Sequence, residues 1–156
     1  MNQQTKATFW TRFWIVICSL VVFGTTNFTL NIVLQYIPWE IFVKADVFQL
    51  LFIVSKTVIS MCYSAILILP LFVNTKKFEN IYEALLNCGV GATAGMSLMA
   101  GIGFATVYMV VSRKLAYIFT CEVALSELGC GAMAILGWYF VRQQMITRRE
   151  YVSIRR

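Results

Sequence analysis

The sequence predicts an all-α membrane protein: a bundle of four transmembrane helices with both termini cytoplasmic. Three observations carry that expectation. Of the 156 residues, 60% are hydrophobic and 13% charged, and the mean hydropathy is +0.75, well outside the range of soluble domains. Four apolar runs lie between charged segments, at 13–34, 48–73, 84–111 and 115–141. Each is long enough to cross a hydrocarbon core of about 30 Å, which takes about 20 helical residues. The basic residues are also distributed unequally between the two sides that four spans define. Because lipid leaves backbone groups no solvent partner, each run satisfies its own and is helical.

The first run, 13–34, follows Lys6 and Arg12 and contains Thr25, Thr26, Asn27 and Asn31. No small-residue cleavage site follows it cleanly, so a retained helix is expected and not a signal peptide. Trp10 and Trp14 at its inner end, and Tyr36 and Trp39 beyond its outer end, suit the headgroup level. Pro38 stops the helix, having no amide to continue it. The outer connection QYIPWEIFVKAD mixes large apolar residues with Glu40, Lys44 and Asp46, so it is expected to lie along the surface.

The second run, 48–73, holds one charge, Lys56. Near its inner end Pro70 lacks the amide that would bond the Ile66 carbonyl, which predicts a kink. After a short inner connection, FENIYEALLNC begins the third helix ahead of the apolar stretch 84–111. Only VVSRKL separates the third run from the fourth, 115–141, so these two are expected to be antiparallel neighbours. Gly91 and Gly95 in the third, with Gly129 and Gly131 in the fourth, are the candidate packing residues, because small residues let backbones approach closely in lipid.

Orientation follows from charge. Lys6, Arg12, Lys76, Lys77, Arg142, Arg148, Arg149, Arg155 and Arg156 share one side; Lys44, Arg113 and Lys114 lie on the other. A bias of nine to three puts the termini in the cytoplasm, N-in and C-in. The net charge of +6 is therefore a topology signal and gives no reason to expect nucleic acid as a partner. The basic tail, 142–156, serves the same anchoring role and can rest on anionic headgroups.

The embedded charges are the unusual chemistry. Reckoned from the ends of the apolar runs at 1.5 Å per residue, Glu122 lies about 8 Å and Lys56 about 6 to 7 Å outward of the middle. Asn27 and Asn31 fall in the same outer half, so a polar layer of Asn27, Asn31, Lys56 and Glu122 is expected, with an ion pair between Lys56 and Glu122. Glu127 falls at the middle of the fourth span, nearly opposite a stripe of Leu125, Leu128, Ala132, Leu136 and Tyr139, and so faces inward. With no cation expected at its level, Glu127 is a candidate proton or ion site, a neutral hydrogen-bond donor between helices, or the partner of a basic residue on another subunit. Thr25, Thr26, Thr93, Ser97 and Ser126 are near enough in depth to supply hydroxyls.

Other chemistry is missing. There is no histidine, which removes the usual haem ligands and the commonest general base. Five cysteines form no Cys-x-x-Cys, so the paired-thiol chemistry of a membrane thiol oxidase is not expected, and no metal or cofactor is anticipated. The expected function is that of a small non-enzymatic integral membrane protein of a bacterial inner membrane. It would act by intramembrane helix contacts with a larger membrane partner, as an accessory subunit or an immunity or exclusion protein does, or with further copies of itself. The alternative is a small oligomeric proton- or cation-coupled transporter using Glu127.

Overall fold

A computed structural model describes the backbone of residues 3–36, 47–73, 78–110 and 116–154, and the side chains of 9–32, 51–73, 78–105 and 121–147. Among these residues the chain is all-helical. Helix α1 spans Gln3–Tyr36, α2 Val47–Phe72, α3 Glu79–Val110 and α4 Ala116–Ile154. Each contains a segment long and apolar enough to cross a membrane: Phe9–Ile32, Leu51–Phe72, Glu79–Ala105 and Cys121–Thr147. The connection with Pro38 and Trp39, the connection at 74–77 and the side chains of Arg113, Lys114 and Arg148 onward lie outside the described residues.

Contacts fix how the helices face each other. Antiparallel α1 and α2 meet at a reciprocal serine contact: Ser19 Oγ donates to the Ser64 carbonyl at 2.8 Å and Ser64 Oγ to the Ser19 carbonyl at 3.0 Å. Hydroxyls that reach the opposite backbone require a close approach, which only small side chains permit. Antiparallel α3 and α4 meet where Gly131 sits against the Ala94 carbonyl and Leu98, and Gly101 against Leu128 and the Ala124 carbonyl. Helices α2 and α4 run parallel: Tyr63 Oη donates to the Ala134 carbonyl at 2.8 Å, and Leu67 packs on Gly137. The start of α1 and the end of α4 therefore share one end of the bundle, called the termini end below; the other is the distal end.

The core is one contiguous cluster that includes Ile15, Val22, Tyr63, Leu67, Tyr82, Leu86, Cys130, Ala134 and Val141. The stripe Leu125, Leu128, Ala132, Leu136 and Tyr139 is exposed as the helical spacing predicts. At the termini end Trp14 stacks on Phe140, joining α1 to α4. The Trp138 indole N–H donates to Asn87 Oδ1 at 2.7 Å, joining α4 to α3, while Arg142 lies 5.1 Å over the Trp138 ring.

Three of the four glycine expectations need correction. Gly91, Gly95 and Gly129 have nothing within 4 Å of where a Cβ would stand; of the four candidates only Gly131 makes a close contact. The close approaches fall instead at Gly89, where a Cβ would lie 2.6 Å from the Tyr63 ring, and at Gly101, Gly131 and Gly137. The inward face of α3 is thus Gly89, Thr93, Ser97 and Gly101, a repeat of four, and Gly91 and Gly95 lie on its exposed side. Spacing alone does not separate these two faces. The hydroxyls do, because a threonine and a serine at helical spacing turn toward protein sooner than toward lipid.

Pro70 leaves the Ile66 carbonyl without its helical donor, and Tyr82 Oη supplies the missing bond from α3 at 3.1 Å. The helix continues past the proline, with Val73 N–H bonding the Leu69 carbonyl at 2.9 Å. A neighbouring helix thus repairs the broken ladder. Tyr82→Phe is expected to lower stability by about 1 to 3 kcal/mol. Pro70→Ala, which restores the amide, should shrink that loss, as thermal unfolding of the four combinations in detergent would show; an undiminished loss would mean that the hydroxyl acts through something other than the Ile66 carbonyl.

Candidate functional site

Lys56 and Glu127 form an ion pair inside the bundle, Lys56 Nζ bonded to Glu127 Oε1. Lys56 is 5% exposed and Glu127 1%, so neither charge reaches the bundle surface. This corrects the expected pairing. Glu122 is exposed and does not meet Lys56, and Glu127, for which no cation was expected, receives it from α2 of its own chain.

The reason lies in the register. The Lys56–Glu127 and Tyr63–Ala134 contacts both join residues 71 apart, one heptad from each other along the same pair of parallel helices. A Lys56–Glu122 pair would need α4 to slide by five residues, about 7.5 Å. The volumes of Tyr63 and Leu67 forbid that slide, since they are seated over Ala134, Gly89 and Gly137, where small residues leave room. The ends of an apolar run set depth only loosely when the helix continues beyond the run, as α4 does to Ile154. Knob and hole set it firmly.

Following this register across all four helices gives three layers. Toward the distal end stand Thr29, Lys56, Ser97 and Glu127, one from each helix, all buried and all polar. The middle layer holds Val22, Tyr63, Thr93 and Ala134. Toward the termini end lie Ile15, Leu67, Leu86 and Val141, at most 1% exposed and wholly apolar. Asn27 is half-buried, while Asn31 and Glu122 are exposed and stand further toward the distal end. Of the expected polar layer, then, only Lys56 is in the interior.

The hydroxyls expected around Glu127 do not bond it. Thr25 donates to the Val21 carbonyl at 2.7 Å and Thr26 to the Val22 carbonyl at 2.7 Å, each closing on its own helix. Thr93, Ser97 and Ser126, together with Thr29, Ser60 and Glu127 Oε2, are buried with no hydrogen-bond partner among the described residues. Ser60 is one helical turn from Lys56 on α2, and Ser97 one turn from Thr93 on α3. Ser60 and Thr29 were not singled out from the sequence. The signal was available in the spacing of four that joins Lys56, Ser60 and Ser64 on one face of α2.

An ammonium and a carboxylate in contact cancel each other's field and can exchange a proton. Among the described residues no three histidine, cysteine, aspartate or glutamate side chains gather. The described cysteines are free; Cys18 and Cys130 act as small buried packing groups, Cys18 against Gly137 and Cys130 beside Thr26.

Fold and site together define a four-helix bundle of membrane-spanning dimensions closed around an internal ion pair. No protein-family model matches the chain, and no curated protein or solved structure matches it either.

Proposed function

We propose that the chain is a small non-enzymatic integral membrane protein of a bacterial inner membrane, with both termini in the cytoplasm. It works through contact between the outward face of α3 and a helix of a larger membrane protein. The observation that carries this reading is the division of labour among the glycines. Gly89, Gly101, Gly131 and Gly137 are used up in holding the bundle together, whereas Gly91 and Gly95 lie on an exposed face with nothing against them. A Gly-x-x-x-Gly face lets a second helix approach closely, and the large side chains at its edges, Met99 at 72% and Ile102 at 62% exposed, extend the contact. The nine-to-three charge bias supports the orientation.

The test is substitution where the fold has room. Gly91→Leu with Gly95→Leu is expected to leave folded yield and thermal unfolding unchanged and to reduce the partner recovered with the chain from native membranes at least tenfold. Recovery of the same partner in the same amount would contradict the reading. If the recovered species is only further copies of the chain, the face is a self-association seam. The transporter alternative draws on the unpartnered Oε2 of Glu127. Against it stand the Lys56 counter-ion and the four-residue apolar layer that crosses the bundle. Proton or cation flux by the purified protein in liposomes, abolished by Glu127→Gln, would reverse the choice.

A further inference from the structure

We propose that the polar layer around Lys56 and Glu127 is a hydrated proton-exchange site, reached by water from the distal end and sealed from the termini end by the apolar layer. The proposal is independent of which helix docks on α3. Its first ground is a cluster of orphaned polar atoms. Glu127 Oε2 and the hydroxyls of Thr29, Ser60 and Ser97 are all buried, come from all four helices and have no hydrogen-bond partner among the described residues. Buried polar groups are almost always bonded to protein or to ordered water, and a water needs two to four such partners, which this layer supplies as donors and acceptors together. An ammonium, which carries three N–H donors, adds to them, since Lys56 spends one on Glu127 Oε1.

The second ground is a gradient of exposure. Half-buried Asn27 lies within two residues of the Thr29 level on α1, and on the distal side of the pair the polar residues Asn31 and Glu122 are exposed, whereas Lys56 and Glu127 are buried. Toward the termini end the core passes through Tyr63 to the apolar layer of Ile15, Leu67, Leu86 and Val141, each from a different helix and none more than 1% exposed. Water entering from the distal side therefore meets unpaired hydroxyls as far as Ser60 and Thr93; beyond them Ser19 and Ser64 bond each other, and the next layer is apolar.

The chemistry is a single proton transfer. A hydronium ion in the layer gives its proton to Glu127 Oε2, leaving water and a carboxyl group, while Lys56 keeps its charge; release is the reverse. The other members of the layer, Thr29 of α1 and Ser97 of α3, are buried hydroxyls and not ionisable groups, so the carboxylate and the ammonium are the ionisable groups of the layer among the described residues. The layer gives the pair contact with one side of the bundle only. A proton can enter and leave there, and the apolar layer denies it passage through.

The test is transfer of magnetisation from mobile water to the whole isotopically labelled protein in phosphatidylethanolamine and phosphatidylglycerol bilayers, observed by solid-state NMR. Build-up at Glu127, Ser60 and Ser97 is expected to be several-fold faster than at Ile15, Leu67, Leu86 and Val141. Equally slow build-up in both layers would show a dry pair and overturn the proposal. Equally fast build-up in both would show that the apolar layer is no seal, and would overturn it too.

Discussion

Lys56→Met is expected to destabilise the bundle by about 3 to 5 kcal/mol, the cost of leaving a partnerless carboxylate in the interior. The loss should appear as a lower unfolding temperature and a reduced folded yield in detergent. Glu127→Gln should also destabilise, because it strands the buried Lys56 ammonium without its counter-ion. Removing both charges together is expected to recover a substantial part of the two losses, with a coupling of about 0.5 to 3 kcal/mol. The asymmetry is physical: desolvating an ion is expensive, and the pair repays that expense only while both members are present. Glu122→Gln, at an exposed position, is the control and should change stability little. A loss from Glu122→Gln as large as from Glu127→Gln, with coupling to Lys56, would restore the pairing that run ends alone suggest.

The second large effect concerns the holes that hold the register. A Cβ at Gly89 would stand 2.6 Å from Tyr63 Cδ2, and that ring cannot retreat without surrendering its bond to the Ala134 carbonyl. At Gly137 a Cβ would meet Leu67 Cδ1 at 2.9 Å and Cys18 Cβ at 3.2 Å, both in the fully buried core. Gly89→Ala and Gly137→Ala are each expected to cost about 1 to 3 kcal/mol by overpacking. Alanine at Gly91, Gly95 or Gly129 meets open space and is expected to be neutral or slightly stabilising, alanine being the better helix former. Thermal unfolding of the five single variants separates the sets. If Gly91→Ala and Gly95→Ala were the damaging ones, α3 would have to be rotated from the orientation described.

These two results also mark what could be read from the chain. The four helices were legible because hydrocarbon imposes length and composition directly, and the apolar stripe of α4 because it repeats with the helical period. Glu127 was legible as the inward acid for the same reason. Its partner was not. Depth inferred from where an apolar run begins carries an error of several residues, and five residues suffice to exchange Glu122 for Glu127 as the neighbour of Lys56. The information that decides the matter is steric. Tyr63 and Leu67 on α2 need small residues opposite, and α4 offers Ala134 and Gly137 at the spacing that also brings residues 56 and 127 together. The choice between Gly89 and Gly91 as the inward glycine is of the same kind: adjacent odd positions in one glycine-rich stretch differ by about 200° around the helix, and only Thr93 and Ser97 indicate which side faces the bundle.

The central claim is that Lys56 and Glu127 lie in contact across the bundle and thereby join α2 to α4 in a single register. Solid-state NMR dipolar recoupling between lysine 15Nζ and glutamate 13Cδ in bilayers measures that contact directly. The expected result is a correlation that disappears in Glu127→Gln and persists in Glu122→Gln. A correlation that instead disappears in Glu122→Gln, or no interhelical lysine-to-glutamate correlation in the native chain, would contradict it.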